Sequence, residues 1–249
     1  MLRAITLDYW GTLYQGDYVR PYRLALLGDM LNQAGQPRAP DELQAAYAHG
    51  WDIFDTIWKE ECRSMTIAHW LRELLAFLKA DLPAAVQAGL YRPLQEALLE
   101  RPPALVPGVA EVIPRLAARY RLGIISDVGL TPGRVLRELL RRDGLEACFT
   151  TMTFSDEAGA TKPRPVVFER TLAALGAAPA EAAHVGDLPE TDLVGARGVG
   201  MKAILFLGVS GREDGREMAD GVFASYGELE DVLERLCGVS GGRGKGDAF

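Results

Sequence analysis

The feature that most constrains this fold is a regular alternation of short apolar runs with longer segments of helical periodicity. The apolar runs end in glycine or polar residues and occupy residues 2–7, 122–125, 182–185, 203–206 and 222–224. Strands that alternate with helices in this way build a parallel sheet that helices cover on both faces. The sequence therefore predicts an α/β protein whose core is a doubly wound parallel sheet.

One long stretch interrupts this alternation. Between about residues 17 and 100 only helical patterns occur, and turn signals such as residues 34–37 separate them. The predicted helices span residues 20–33, 40–61, 65–80 and 83–99. Four consecutive helices between the first and second strands indicate an inserted helical bundle.

These patterns predict a division of the chain into three parts. Residues 1–15 and 102–237 form a Rossmann-like core, and residues 16–101 form a helical-bundle cap that sits beside the sheet as a lid. Residues 238–249 are rich in glycine with scattered charge, and this composition predicts a disordered tail.

Composition and charge exclude several classes of partner. The 249 residues carry a formal net charge of −7, which argues against nucleic acid or an anionic membrane as the partner. No apolar run approaches the roughly 20 residues that span a bilayer, and no signal-peptide pattern precedes the first strand. The cysteines, Cys62, Cys148 and Cys237, lack CxxC spacing and fit reduced thiols. We therefore expect a cytoplasmic protein and leave its oligomeric state open.

Acidic residues follow two of the predicted strands. Asp8 stands directly after the first strand, and Asp187 ends the Gly-Asp pair after the third, with Asp192 five positions further on. Ligands of an open parallel sheet bind outside the carboxyl ends of its strands, so these carboxylates should share one mouth. Mg²⁺ prefers such carboxylates together with waters and a substrate phosphate. Taken singly, Asp8 could instead cap a turn, and Asp192 could be an N-terminal helix charge.

Two other segments carry side chains that suit a phosphate. Ser126 and Asp127 close the second predicted strand, where a hydroxyl and the backbone N–H groups of the next turn can hold phosphate oxygens. Lys162 precedes a predicted helix, and Pro163 and Pro165 restrict the backbone around it, which favours a fixed ammonium. Taken singly, Ser126 could be a helix cap and Lys162 a solvated surface charge.

In this order, the four segments resemble the four motifs of the haloacid dehalogenase superfamily. That family has a strand ending in a nucleophilic Asp with Gly-Thr shortly after it, as in Asp8, Gly11 and Thr12. A Ser or Thr after the second strand, a Lys before a helix, and a Gly-Asp followed by another Asp complete the pattern. The resemblance extends to about Cys237, and the helical insertion is similar to the family's C1-type cap.

The resemblance implies a Mg²⁺-dependent phosphatase that acts on a small phosphorylated metabolite. The nucleophile Asp8 would form an aspartyl-phosphate that water then hydrolyses. The residues implied at the site are Asp8 and Lys162 for catalysis, Thr12, Ser126, Asp127 and Lys162 for substrate, and Asp8, Trp10, Asp187 and Asp192 for Mg²⁺. At Trp10 the implied metal ligand is the backbone carbonyl, which any residue can supply.

The sequence departs from the family pattern at Trp10. Phosphatases of the family usually carry there a second Asp that acts as general acid and base, whereas an indole only donates hydrogen bonds. Family dehalogenases also lack this Asp, and a 2-haloacid dehalogenase that forms an ester at Asp8 is therefore the main alternative. Those dehalogenases work without metal and have lost the Gly-Asp pair, whereas this chain keeps Asp187 and Asp192.

Two further alternatives stay open. A phosphonate hydrolase would need a Schiff-base lysine from the cap, for which the candidates are Lys59 and Lys79. A phosphate-binding module with little turnover would also explain Trp10. The cap residues considered as substrate contacts are Arg20, Arg23, His49, Trp51 and Trp58. Aromatic residues at helical spacing are typical of a cap core, so none of the five is assigned to the site.

Overall fold

The computed structural model describes residues 1–16 and 19–238, and these contain one six-stranded parallel sheet. Its strands are β1 (Ala4–Leu7), β2 (Arg121–Ser126), β3 (Phe149–Phe154), β4 (Ala182–Gly186), β5 (Lys202–Phe206) and β6 (Gly221–Phe223). They lie in the order β3-β2-β1-β4-β5-β6, and every neighbouring pair is parallel. This is the strand order of a doubly wound, Rossmann-like sheet. The predicted fold class is confirmed.

Helices connect the strands and fill the long insertion. In chain order they are α1 (Arg20–Gln33), α2 (Pro40–Glu61), α3 (Ile67–Phe77), α4 (Ala84–Glu100), α5 (Val109–Ala117), α6 (Gly133–Arg142), α7 (Ser155–Ala158), α8 (Pro165–Leu175), α9 (Val194–Gly198) and α10 (Leu229–Leu236). Helices α1 to α4 match the four predicted ones within a few residues at each end. Between residues 19 and 100 the structure describes no strand.

Alternate side chains of the strands face two separate apolar cores. Ile5 and Leu7 of β1 belong to one core, together with side chains of α5, α6 and α10. Ala4 belongs to the other core, together with side chains of α8 and α9. Because successive side chains of a strand point to opposite faces, helices cover the sheet on both sides. The carboxyl edge of the sheet is left to carry polar groups.

The four inserted helices have an apolar core of their own. Its members include Leu31, Trp70, Leu71 and Leu94, each with an exposed fraction of 1% or less. Leu130, from the loop after β2, also packs into this core. The insertion therefore rests on the loop at the carboxyl edge of the sheet. The predicted division into a core of residues 1–15 and 102–237 and a cap of residues 16–101 stays a proposal.

Local sequence signals set the ends of the two helices nearest the site. Pro40 begins α2, and the Glu42 carboxylate accepts a hydrogen bond of 2.8 Å from the Ala39 N–H. Pro165 begins α8, which ends at Gly176 with a φ of 58°. A left-handed glycine satisfies the last carbonyls of a helix without the steric cost of a Cβ atom. These signals set where α2 and α8 begin and where α8 ends.

Strand β3 was not predicted from the sequence. This strand lies at the edge of the sheet, where Thr150 is exposed and Thr151 and Met152 are only partly buried. A search for continuous apolar runs does not find an edge strand in which threonines alternate with apolar residues. The predicted tail of residues 238–249 lies, apart from Gly238, outside the described residues.

Two other sequence expectations can be compared with the structure. None of the helices in the described ranges combines the length and apolar character needed to cross a bilayer. The cysteines Cys62, Cys148 and Cys237 are free thiols, as their spacing predicted.

Candidate active site

The candidate active site lies at the carboxyl edge of the sheet, where the strand order changes direction between β1 and β4. Leu7 pairs with Ile124 of β2 and with Val185 of β4, so these three strands end side by side. Asp8 directly follows β1, and Asp187 directly follows β4. Such a switch point is where an open α/β sheet binds its ligands.

One buried ammonium lies among the carboxylates. Lys162 Nζ is 2.7 Å from Asp8 Oδ1 and 2.6 Å from Asp192 Oδ1. The Lys162 backbone N–H donates a hydrogen bond of 2.9 Å to Asp127 Oδ1, which fixes the segment that carries the ammonium. The Lys162 side chain is 3% exposed. Lys162 is therefore a fixed internal charge, as the flanking prolines predicted, and not a solvated surface lysine.

Asp192 is held by a network that the sequence analysis did not predict. His184 Nε2 lies 3.0 Å from Asp192 Oδ1, and the Leu188 N–H donates to Asp192 Oδ2 over 3.0 Å. On its other side, His184 Nδ1 is 2.8 Å from Thr6 Oγ1. Asp192 does not begin an α-helix as expected but lies in a π-helical turn, Pro189–Leu193, that leads into α9. Such turns occur frequently at functional sites.

The charges at the site shift the pKa values of its groups in opposite directions. Burial raises the pKa of Asp8, although Lys162 opposes the rise. Burial and repulsion from Asp192 and Asp8 raise the pKa of Asp187 to about 8. Burial would also raise the pKa of Asp192, but Lys162 and His184 outweigh it and hold that pKa below its usual range. A single ammonium thus compensates only part of the carboxylate charge.

The three carboxylates fit a divalent cation. Asp8, Asp187 and Asp192 each offer an oxygen, and these atoms lie within 4.8 Å of one another. Asp8 and Asp192 share the one ammonium of Lys162, which lies 2.7 Å from Asp8 Oδ1 and 2.6 Å from Asp192 Oδ1. A Cβ atom at Gly11 would lie 2.4 Å from Asp187 Oδ2, so only glycine lets the loop approach this carboxylate. Oxygen ligands with uncompensated negative charge are what Mg²⁺ requires.

The remaining residues predicted to bind substrate are Asp127, Ser126 and Thr12. Burial raises the pKa of Asp127 to about 6, although Lys162 and the Trp58 N–H oppose the rise. Ser126 is buried and opposes the rise in the pKa of Asp8 through a hydrogen bond. Thr12 Oγ1 is buried and has no hydrogen-bond partner among the described residues. The backbone carbonyl of Thr12 accepts a 2.9 Å hydrogen bond from the Tyr226 hydroxyl. The roles assigned to these residues stay predictions.

A cavity of about 380 Å³ opens onto the carboxylates. The charged residues in its described lining are Asp8, Asp127, Lys162 and Asp187, and Trp10 also lines it. Its other lining residues are Gly11, Gly16, Trp51, Phe54, Trp58, Gly129, Leu130, Thr131, Leu188, Thr191 and Val209. Trp51 and Trp58 were not assigned to the site from the sequence and Phe54 was not among the candidates, yet all three lie in the cavity wall.

The other cap candidates do not line this cavity. Arg20 donates to the Gln44 carbonyl on the surface, and the His49 ring stacks on Phe77 with centroids 4.9 Å apart. Arg23 is fully buried and donates 2.8 Å to Thr131 Oγ1, a group in the cavity wall. Arg23 therefore supports the wall from behind. No spacing pattern in the sequence distinguishes it from the exposed arginines.

A doubly wound sheet with an aspartate cluster and a buried lysine at its switch point is the framework of a hydrolase site. The chain matches the family model for haloacid dehalogenase-like hydrolases over residues 2–200, and it belongs to that family. The predicted membership of the haloacid dehalogenase superfamily is confirmed.

Several known proteins are similar to this chain. A glyceraldehyde 3-phosphate phosphatase from Pyrococcus furiosus is 36% identical over 52% of this chain, a match that spans 55% of the relative's own length. A glyceraldehyde 3-phosphate phosphatase from Methanothermobacter thermautotrophicus is 31% identical over 82% of this chain and 85% of its own. The crystal structure of a 2-haloacid dehalogenase from Pseudomonas syringae matches with 26% identity and a TM-score of 0.71, covering 94% of this chain and 99% of that one.

Proposed function

We propose that this chain is a Mg²⁺-dependent phosphatase that hydrolyses a small phosphorylated metabolite in the cytoplasm. The observation that carries the proposal is the triad of Asp8, Asp187 and Asp192 around one mouth, with Lys162 Nζ 2.7 Å from the proposed nucleophile. The phosphatase names of two relatives support it, one of which matches over most of its length.

In the proposed reaction, a carboxylate oxygen of Asp8 attacks phosphorus, and the bond to the leaving oxygen breaks. Lys162 holds Asp8 in place and offers a positive charge to a phosphoryl oxygen. The hydroxyls of Ser126 and Thr12 would donate hydrogen bonds to the other phosphoryl oxygens. Water then attacks phosphorus of the aspartyl-phosphate, which returns free Asp8 and inorganic phosphate.

The metal would be held by Asp8, Asp187, Asp192 and the Trp10 carbonyl. When bound, Mg²⁺ would neutralise part of the negative charge that the carboxylates and the phosphoryl group bring together. Burial and repulsion from Asp192 and Asp8 raise the pKa of Asp187 to about 8, so a bound cation would favour its ionised form at neutral pH.

We expect saturating Mg²⁺ to stabilise the protein and to be required for its activity. At about 100 times Kd, one bound ion adds about 2.7 kcal/mol, which should raise the Tm by about 5–10 °C. Asp187→Asn should abolish most of this shift and nearly all turnover. Thermal unfolding with Mg²⁺ and with EDTA measures the first effect, and phosphate release measures the second.

The matched control for Asp187→Asn is Glu190→Gln. Glu190 is exposed and pairs with Arg212 at 3.1 Å, outside the carboxylate cluster. The rise in Tm with Mg²⁺ and the turnover of the Glu190→Gln variant should therefore both equal those of the wild type. Full activity in excess EDTA would contradict the phosphatase proposal. Release of halide from a 2-halo acid under the same conditions would establish the dehalogenase alternative.

The residue at position 10 favours the dehalogenase alternative, whereas the positions of the cap lysines weaken the phosphonate hydrolase alternative. Trp10 lines the cavity at the position where family phosphatases carry an acid. The Pseudomonas syringae crystal structure compared above is that of a 2-haloacid dehalogenase. A phosphonate hydrolase would need a cap lysine in the cavity. Lys59 instead pairs with Asp55 at 2.8 Å on the surface, and Lys79 is exposed, so neither lies in the described cavity wall.

Trp10 should make the enzyme sensitive to the basicity of the leaving group. With no proton donor there, phenyl phosphate should react faster than ethyl phosphate, and aspartyl-phosphate should accumulate as a burst. Trp10→Asp should raise kcat for ethyl phosphate by at least about tenfold, and should raise it less for phenyl phosphate. Steady-state rates with both substrates test this.

Trp10→Asn is the matched control, because it creates the same space without an acid. If Trp10→Asn raises the ethyl phosphate rate as much as Trp10→Asp does, the effect comes from space and not from proton transfer. If the wild type already hydrolyses ethyl phosphate many times per second, another residue supplies the proton.

A further inference from the structure

Helix α2 presents a row of three aromatic side chains to the cavity, which we call the aromatic wall: Trp51, Phe54 and Trp58. Their spacing of three and four positions places them on one face of the helix. The rings of Trp51 and Phe54 meet edge to face with centroids 4.9 Å apart, and the planes of Phe54 and Trp58 lie 19° from parallel. All three line the same cavity as Asp8.

The aromatic wall is fixed against the sheet and not merely close to it. Trp58 Nε1 donates a hydrogen bond of 2.8 Å to Asp127 Oδ2, at the end of β2. Gly129 lies under the Trp51 ring, because a Cβ atom there would be 3.1 Å from Trp51 Cη2. Both contacts join α2 to the segment that follows β2. A ligand would therefore meet preformed flat surfaces, which lowers the cost of ordering side chains on binding.

The charge of the cavity selects against a second anionic group on the ligand. Three carboxylates, those of Asp8, Asp127 and Asp187, belong to its described lining, whereas Lys162 is the one cation there. The Lys162 ammonium already contacts Asp8 and Asp192. A carboxylate or second phosphate on the substrate would thus lose its water without gaining a cation among the described lining residues.

We propose that the aromatic wall binds the leaving group, and that this group is uncharged and carries a flat apolar ring. The substrate class is a phosphate monoester of a neutral aromatic alcohol or phenol. This assignment rests on the proposed function for one point, the position of the phosphoryl group at Asp8. The cavity of about 380 Å³ is within the size range of small-molecule sites.

The first test compares benzyl phosphate with ethyl phosphate in the presence of Mg²⁺. Both release an alkoxide from a CH₂ group, so the effect of Trp10 on the leaving group is nearly the same for the two. We expect kcat/KM for benzyl phosphate to be at least about tenfold higher, since a buried ring adds both apolar area and ring contacts. A carboxylate in the para position of benzyl phosphate should remove at least that tenfold advantage.

The second test changes the wall itself. Trp51→Ala should lower kcat/KM for benzyl phosphate by about tenfold and for ethyl phosphate by less than about twofold. Trp51→Leu, which keeps more apolar volume, should give the same selective loss if Trp51→Ala does not fold. Ile53→Ala is the control, because Ile53 lies on the same helix, partly buried against the apolar core of the insertion, but outside the cavity wall.

A binding measurement separates this inference from the proposed function. Tryptophan fluorescence should report tighter binding of benzylphosphonate than of ethylphosphonate by about tenfold. Hydrolysis of both esters with equal kcat/KM, and equal binding of both phosphonates, would overturn the aromatic assignment and leave the phosphatase proposal standing. Tighter binding of benzylphosphonate by a protein that hydrolyses neither of these esters nor phenyl phosphate, whose leaving group needs no proton donor, would overturn the phosphatase proposal and support the aromatic wall.

Discussion

Asp8→Asn is expected to lower kcat for phenyl phosphate by at least about 10⁴-fold, because the amide oxygen cannot replace a carboxylate as nucleophile. The substitution keeps the size of the side chain, and Lys162 keeps its ion pair with Asp192 at 2.6 Å. The loss should therefore be chemical and not structural. Single-turnover phosphate release in Mg²⁺ measures it, and denatured wild-type enzyme should carry acid-stable phosphate that the variant lacks.

The stability of Asp8→Asn provides the control for this experiment. Burial raises the pKa of Asp8 in the folded protein, so the ionised carboxylate destabilises the fold at pH values above that pKa. A neutral amide removes this cost. In EDTA, the Tm of Asp8→Asn at pH 7 should equal or exceed that of the wild type. A variant that unfolds earlier, or one that retains a tenth of the activity, would contradict the assignment of Asp8 as a buried nucleophile.

The sequence predicts most of the fold because hydrophobic periodicity and caps are local signals. Helix α2 was predicted at its observed bounds, since Pro40 marks its start and apolar residues recur along one face of it. Strands β1 and β4 were found because both are fully buried, which leaves continuous apolar runs in the chain. Strand β3 lies at the edge of the sheet and pairs with β2 alone. Its burial depends on its place in the folded sheet, which no local signal in the sequence indicates.

The residues of the site likewise fall into those that local sequence signals predict and those that only the tertiary structure identifies. The carboxylates and Lys162 could be predicted, because each follows or precedes a recognisable element and because together they resemble a known order of motifs. The aromatic wall could not be assigned, since α2 buries Tyr47 and Ile57 in its own core with the same periodicity that brings Trp51 and Trp58 to the cavity. Which side of such a helix faces a ligand depends on how the insertion rests on the sheet.

The charge balance of the site depends on Lys162 more than on any other single side chain described. Burial opposes its charge, but Asp192, Asp8 and Asp127 outweigh that effect and raise the pKa of the Lys162 ammonium. The ammonium and the Asp192 carboxylate are both almost fully buried. Removing one partner of such a buried pair leaves an uncompensated charge, which costs about 3–5 kcal/mol in other proteins.

Lys162→Met should therefore lower the free energy of unfolding by about 3–5 kcal/mol at pH 7 in EDTA, and should lower turnover by at least about 10³-fold. Without the ammonium, the pKa of Asp8 should rise further and that of Asp192 should rise above its unfolded value, so the folded state takes up protons and the deficit shrinks as pH falls. Lys162→Met combined with Asp192→Asn should recover part of the stability but none of the turnover.

Urea unfolding at pH 5 and pH 7 tests this, with Lys202→Met as the exposed control, since Lys202 pairs with Asp220 at the surface. A deficit that does not depend on pH, or that Asp192→Asn leaves unchanged, would show that Lys162 acts through packing and not through charge.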